Sequence, residues 1–118
     1  MELIEQLAEA ALQRDSLRLR GLVQDLTRAH VDWSSLPRPS TSDTRLLAVA
    51  ASLSELLAER QNQNPPAWTK EVGALNEPFF LLRSAETMKR LRVLCETRSP
   101  EPMRKRRLYA PPHFLEFA

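Results

Sequence analysis

DTRLLAVAASLSELLAER, residues 43–60, is the most apolar segment of the chain. Leu46, Leu47, Ala50, Leu53, Leu56 and Leu57 recur at the three- and four-residue spacing that places side chains on one face of a helix. Asp43 or Ser42 is placed to cap its first turn, and periodicity runs unbroken to about Arg60. Ala48, Ala50, Ala51 and Ser52 are small enough for a second helix to approach closely. The stretch therefore reads as a central helix, with Leu53 and Leu56 buried in mid-stripe. QNQNPP (61–66) ends it with poor helix formers and two prolines.

On the N-terminal side, Leu3, Ile4, Leu7, Ala11 and Leu12 form a buried stripe over residues 2–14, with Glu2 and Glu5 in the first turn, where the helix dipole favours negative charge. Asp15-Ser16 offers a side-chain cap for a second helix that runs to about Ala29, its stripe being Leu19, Leu22, Val23 and Leu26. Neither proline nor glycine separates the two, so one long bent helix is the alternative. HVDWSSLPRPSTS (30–42) is a loop, with Trp33 and Leu36 pinning it to the core.

On the C-terminal side, Pro66 reads as the first residue of a fourth helix with Trp68, Val72 and Leu75 inward. Asn76-Glu77-Pro78 breaks it, and Phe79-Phe80-Leu81-Leu82 follows as a short apolar turn. Ser84 caps a fifth helix through an incomplete capping box, with Ala85, Met88, Leu91, Leu94 and Cys95 inward and Lys89, Arg90 and Arg92 outward. Ser99-Pro100-Glu101-Pro102 stops it. The remainder is the run Arg104, Lys105, Arg106, Arg107, then Tyr109, Phe114 and Phe117.

Helix formers dominate the 118 residues, glycine occurs twice, and no segment alternates apolar with polar over a strand's length. The expected class is all-α: one small bundle of about five helices over residues 1–98, with a proline-rich basic and aromatic arm, 99–118, docked on the bundle or on a partner. One cysteine allows no internal disulfide. No run approaches the ~18 apolar residues of a membrane span, and the acidic amphipathic opening MELIEQLAEAALQRD differs from a secretory leader. A cytoplasmic location without a membrane partner is expected.

The net charge of +2 conceals an asymmetry. Residues 1–82 hold eight Lys/Arg against eleven Asp/Glu, whereas 83–118 hold nine against four. A basic module thus follows a mildly acidic body.

Catalytic patterns are missing. His30 and His113 sit in no nucleophile motif, and Cys95 lies on an apolar helix face. One Cys and two distant His give no zinc spacing, and Gly21 and Gly73 build no phosphate loop. No cofactor and no metal site are expected. Arg14, Arg18, Arg20 and Arg28 suggest a helix-turn-helix, but its short glycine-containing turn is absent and Asp15 and Asp25 dilute the positive face.

The strings AWTKEVGALNEPFF (67–80) and SPEPMRKRRLYAPPHFLEFA (99–118), through Trp68, Pro78, Phe79, Ser99, Pro100, Arg104, Arg106, Arg107 and Tyr109, resemble a group of short uncharacterised bacterial helical proteins. The resemblance covers the second half of the chain. It implies an antitoxin-like partner of a nucleotidyltransferase-like protein, hence protein binding without catalytic residues. The expected function is a non-catalytic protein-binding module, antitoxin-like or adaptor. Its partner-binding residues are Arg104, Lys105, Arg106, Arg107, Tyr109, Phe114 and Phe117. A nucleic-acid-binding protein using Arg104–Arg107 is the alternative, a small enzyme comes third, and a homo-oligomer stays open.

Overall fold

The computed structural model describes residues 3–116, so Glu2 and Phe117 lie outside the described residues. Five α-helices occur among them: α1 (Leu3–Leu12), α2 (Ser16–Arg28), α3 (Thr44–Arg60), α4 (Lys89–Arg98) and α5 (Glu101–Arg104). Two-residue strands, β1 (Phe79–Phe80) and β2 (Leu108–Tyr109), and three short 3-10 turns complete the architecture. The protein is mainly α.

The first two stretches are separate helices. Arg14 takes a left-handed φ of 57°, and Arg14 N–H and Asp15 N–H donate to the carbonyls of Ala11 and Ala10. That crossed pair closes the end of α1, normally a task for glycine. Asp15 then caps α2 by accepting from Arg18 N–H at 3.1 Å. Asp43 caps α3 in the same manner, accepting from Arg45 and Leu46.

Helix α3 is central, as its composition predicts. Every residue from Ala48 to Ala58 is buried, with α1 packed along it. Leu53 and Leu56 lie in the core beside Ile4, Leu7, Leu26 and Trp33. Trp33 is fully buried and holds the 30–42 loop down: its backbone N–H donates to the Gln63 side chain and its indole N–H to that of Gln61. The residues read only as helix stoppers are therefore also the anchor of that loop.

Two expected helices are shortened, for the same physical reason. Residues 67–71 form a 3-10 turn instead of a fourth helix, with Pro66 at its cap. The carbonyls of Thr69 and Val72, which would propagate the helix, accept from the Arg106 guanidinium instead, at 2.8 and 3.1 Å. The indole of Trp68 donates to Leu36 carbonyl at 2.9 Å. Residues 83–86 likewise form a 3-10 turn, because Arg92 donates to the carbonyls of Ala85 and Glu86. The fifth helix accordingly starts at Lys89 rather than after Ser84. Its inward set also differs: Ala85 and Cys95 are buried, but Met88 is 56 % and Leu94 41 % exposed.

Phe79-Phe80 is a strand and not a turn. It pairs in parallel with Leu108-Tyr109, Phe79 opposite Leu108, with Phe79 N–H on Arg107 carbonyl and Leu81 N–H on Tyr109 carbonyl. Residues 99–116 are built into the core: Met103, Leu108, Ala110 and Leu115 belong to the same buried cluster as α1 and α3. Ser99 Oγ accepts from Ala110 N–H at 2.9 Å, tying the start of this segment to the strand end. No helix among the described residues is long and apolar enough to cross a membrane.

Candidate interaction surface

The four consecutive cations do not form one face. Helix α5 ends at Arg104 and Arg107 has a left-handed φ of 63°, so successive side chains leave a tight turn in different directions. Arg106 turns inward and is 2 % exposed. It meets Glu55 of α3 as a bidentate pair, Nη1 to Oε1 at 2.8 Å and Nη2 to Oε2 at 2.9 Å. The remaining N–H groups donate to the carbonyls of Val72, Pro102 and Thr69. All five guanidinium donors are thereby used, which a buried charge requires. Burial alone would push the Glu55 carboxyl up. Hydrogen bonds from Arg106 and Lys105, with the Arg106 charge, outweigh that and hold it at about 2.

Lys105 reaches the same carboxylate from the partly exposed side at 2.8 Å. Arg107 donates to Asn76 carbonyl at 2.7 Å, and Arg104 donates to Thr97 carbonyl at the end of α4. Tyr109 stacks obliquely on Phe80, centroids 5.3 Å apart. Phe114 is half-buried, and its carbonyl accepts from Arg60. Of the expected site, Arg104, Lys105 and Arg107 are exposed, with Arg104 beside α4, while Arg106 is a structural charge closed off from any partner.

Helix α4 has the opposite character. Cys95 is its sole buried residue, and its packing is chiefly against the 3-10 turn that precedes it. Burial raises the Cys95 thiol above its usual range, with Glu96 adding to the effect, so the thiol is poorly nucleophilic. On the outer face Val93 is 50 % exposed and Leu94 41 %, with Met88 just before the helix. Lys89 and Arg90 lie one turn before Val93 and Leu94, and Arg98 one turn after Leu94. Lys89, Arg90 and Arg98 are exposed and have no ion-pair partner among the described residues.

Local energetics do not account for this surface. The first turn of α4 carries Lys89, Arg90 and Arg92 where the dipole favours carboxylates, and its cap residue Met88 supplies no side-chain acceptor. The root of the helix is secured elsewhere. Arg92 lies over the Phe80 ring at 5.8 Å, and Arg14 and Arg45 lie over Phe79 at 5.1 and 4.7 Å. Arg14 also donates to Phe80 carbonyl and pairs with Glu86 at 2.6 Å.

A cleft of about 470 Å³ is lined by Glu55, Glu59, Gln63, Lys70, Glu101 and Lys105, with neither histidine nor cysteine. His113 is exposed beside Glu116, and no group of three or more His, Cys, Asp or Glu among the described residues could hold a metal ion. Signals for the surface were present in the sequence: Val93 and Leu94 cannot both face a core that already takes Leu91 and Cys95. Glu55, set between Leu53 and Leu56 of the apolar stripe, is likewise the carboxylate of α3 placed to need a cation if buried. Compared with protein-family models, with curated proteins and with solved structures, the chain shows no significant match.

Proposed function

We propose that this protein is a non-catalytic module that binds another protein, and that its working face is α4 with Arg104 alongside. The observation that carries this reading is the mismatch between α4 and its surroundings. Val93 and Leu94 stand in solvent, framed by Lys89, Arg90 and Arg98, on a helix that contributes almost nothing to the core. Exposed apolar groups rimmed by charge are the ordinary anatomy of a contact surface. The arm expected to do this work spends Arg106, Leu108 and Leu115 on the interior instead. An antitoxin-like or adaptor role is one form of such a module.

A nucleic-acid-binding reading is favoured by one feature, the unpaired cations at both ends of the helix. Phosphate contacts have no use for Val93 and Leu94, which places this reading second. Photo-crosslinking separates them. A photoreactive residue at position 93, with one at the exposed Arg38 as control, is introduced into the full chain in cells that express it. A discrete protein adduct at 93, absent at 38 and insensitive to nuclease, supports the proposal. An adduct lost with nuclease, or none specific to 93, refutes it.

A further inference from the structure

The charge around the outer face of α4 specifies what covers it. Lys89 and Arg90 stand at one end, Arg98 at the other, with Val93 and Leu94 between and Arg104 reaching the C-terminal end through Thr97. Only Glu96 opposes them on this helix. We infer that the occupant is an acidic amphipathic helix of a different protein, laid along α4. The inference rests on the binding-module reading and names the partner's chemistry.

Three alternatives fit the surface less well. A second copy of α4 would bring like charges together at both ends, a juxtaposition that works against self-association. Nucleic acid satisfies the cations but leaves the apolar strip without a partner. An anionic membrane would want a broader apolar face with aromatic anchors, and α4 offers no aromatic residue.

Helix geometry defines the complement. From Arg90 to Arg98 is eight positions, about 12 Å at the rise of an α-helix. The partner helix therefore carries carboxylates about two turns apart, flanking small or branched apolar residues at three- and four-residue spacing. A contact of three turns lies in the class of small, transient interfaces. Salt weakens it moderately, since the cations sit on the rim, while the apolar strip preserves part of the affinity.

The test uses the full chain and three probes: a synthetic amphipathic peptide with Leu on one face and Glu two turns apart, its twin with Lys for each Glu, and anionic lipid vesicles. Binding is followed by amide chemical shifts. The acidic peptide is expected to shift residues 88–98 and Arg104 selectively, and Lys89→Glu with Arg90→Glu to weaken it by at least about tenfold. Because these side chains are exposed, an unchanged melting temperature shows that each variant is folded. Val93→Asp, also exposed, is expected to abolish the shifts at the same peptide concentration. Equal binding of the Lys twin, stronger binding to vesicles, shifts centred away from 88–98 and Arg104, or concentration-dependent dimerisation through α4 overturns the inference. If crosslinking at position 93 captures a protein while the acidic peptide leaves 88–98 unshifted, the partner chemistry is wrong and the binding-module reading survives. If neither occurs, both fail.

Discussion

Replacing Glu55 by Ala removes the one counter-charge that makes Arg106 tolerable inside the protein. The guanidinium is 2 % exposed and would be left with only the carbonyls of Val72, Thr69 and Pro102. Breaking a buried pair from one side costs about 3–5 kcal/mol. A second route gives a similar magnitude. The Glu55 carboxyl is held at about 2, against an ordinary value of 4.5, and that difference corresponds to about 3 kcal/mol. Since the folded value is depressed, this contribution is fully present above about pH 4.5 and is lost as the pH falls through the window from there to about 2. Urea unfolding followed by circular dichroism, at neutral pH and through that window, measures both quantities. Glu55→Ala is expected to lose about 3–5 kcal/mol at neutral pH, a large share of the roughly 5–15 kcal/mol typical of a domain. Its stability should also decline less steeply in acid than that of the natural protein. The double variant Glu55→Leu, Arg106→Met removes both charges but strands three carbonyls, so it is expected to recover only part of the loss. A loss below about 1 kcal/mol, or an unchanged acid slope, would refute the assignment of this pair as the clamp between α3 and the C-terminal segment.

Other changes probe the remaining structure. Leu53→Ala, fully buried in mid-helix, is expected to cost about 2–5 kcal/mol in the same unfolding assay. Ser99→Ala leaves the buried Ala110 N–H without its acceptor and should cost about 1–3 kcal/mol, with faster exchange of that amide. Leu94→Asp, on the exposed face, should change stability by no more than about 0.5 kcal/mol while removing the crosslink from a photoreactive residue at position 93. Cys95 is expected to resist thiol reagents in the native protein and to react on unfolding, because burial suppresses its thiolate.

The elements that the sequence announces most clearly are those whose stability is local. Asp15 and Asp43 cap α2 and α3, and the apolar stripes of α1, α2 and α3 face the core as their periodicity predicts, except Leu3 at the start of α1, which is 42 % exposed. The elements that differ from expectation depend on arginines outside their own segments. Arg106 takes the carbonyls that would extend a helix from Pro66, and Arg92 takes those that would start one after Ser84. No periodicity within residues 67–71 reveals a competitor 34 or more residues away, as Arg106 is from Val72, and none within 83–86 reveals Arg92, six and seven residues beyond the carbonyls it takes. The strand at Phe79-Phe80 escaped for a related reason, since a two-residue ladder is too short to alternate and finds its partner at Leu108-Tyr109. At the candidate surface the basic character of the C-terminal third was legible, but its distribution was not. Charge counts cannot separate Arg106, committed to Glu55, from Lys89, Arg90 and Arg98, which remain in solvent.

The weak anchoring of α4 makes its affinity a matter of local folding as well as of contact. Ten residues are too few for a helix to be secure alone in water, and this one has an uncapped N-terminus and a single buried residue. Opening it exposes little of the core, so its amides should exchange through a low-energy excursion while those of α3 await global unfolding. Only the helical form presents Val93, Leu94 and the flanking cations together, so apparent affinity scales with the fraction of molecules in which α4 is wound. Substitutions that merely tune the winding of α4, touching no partner, would then set how tightly the module binds.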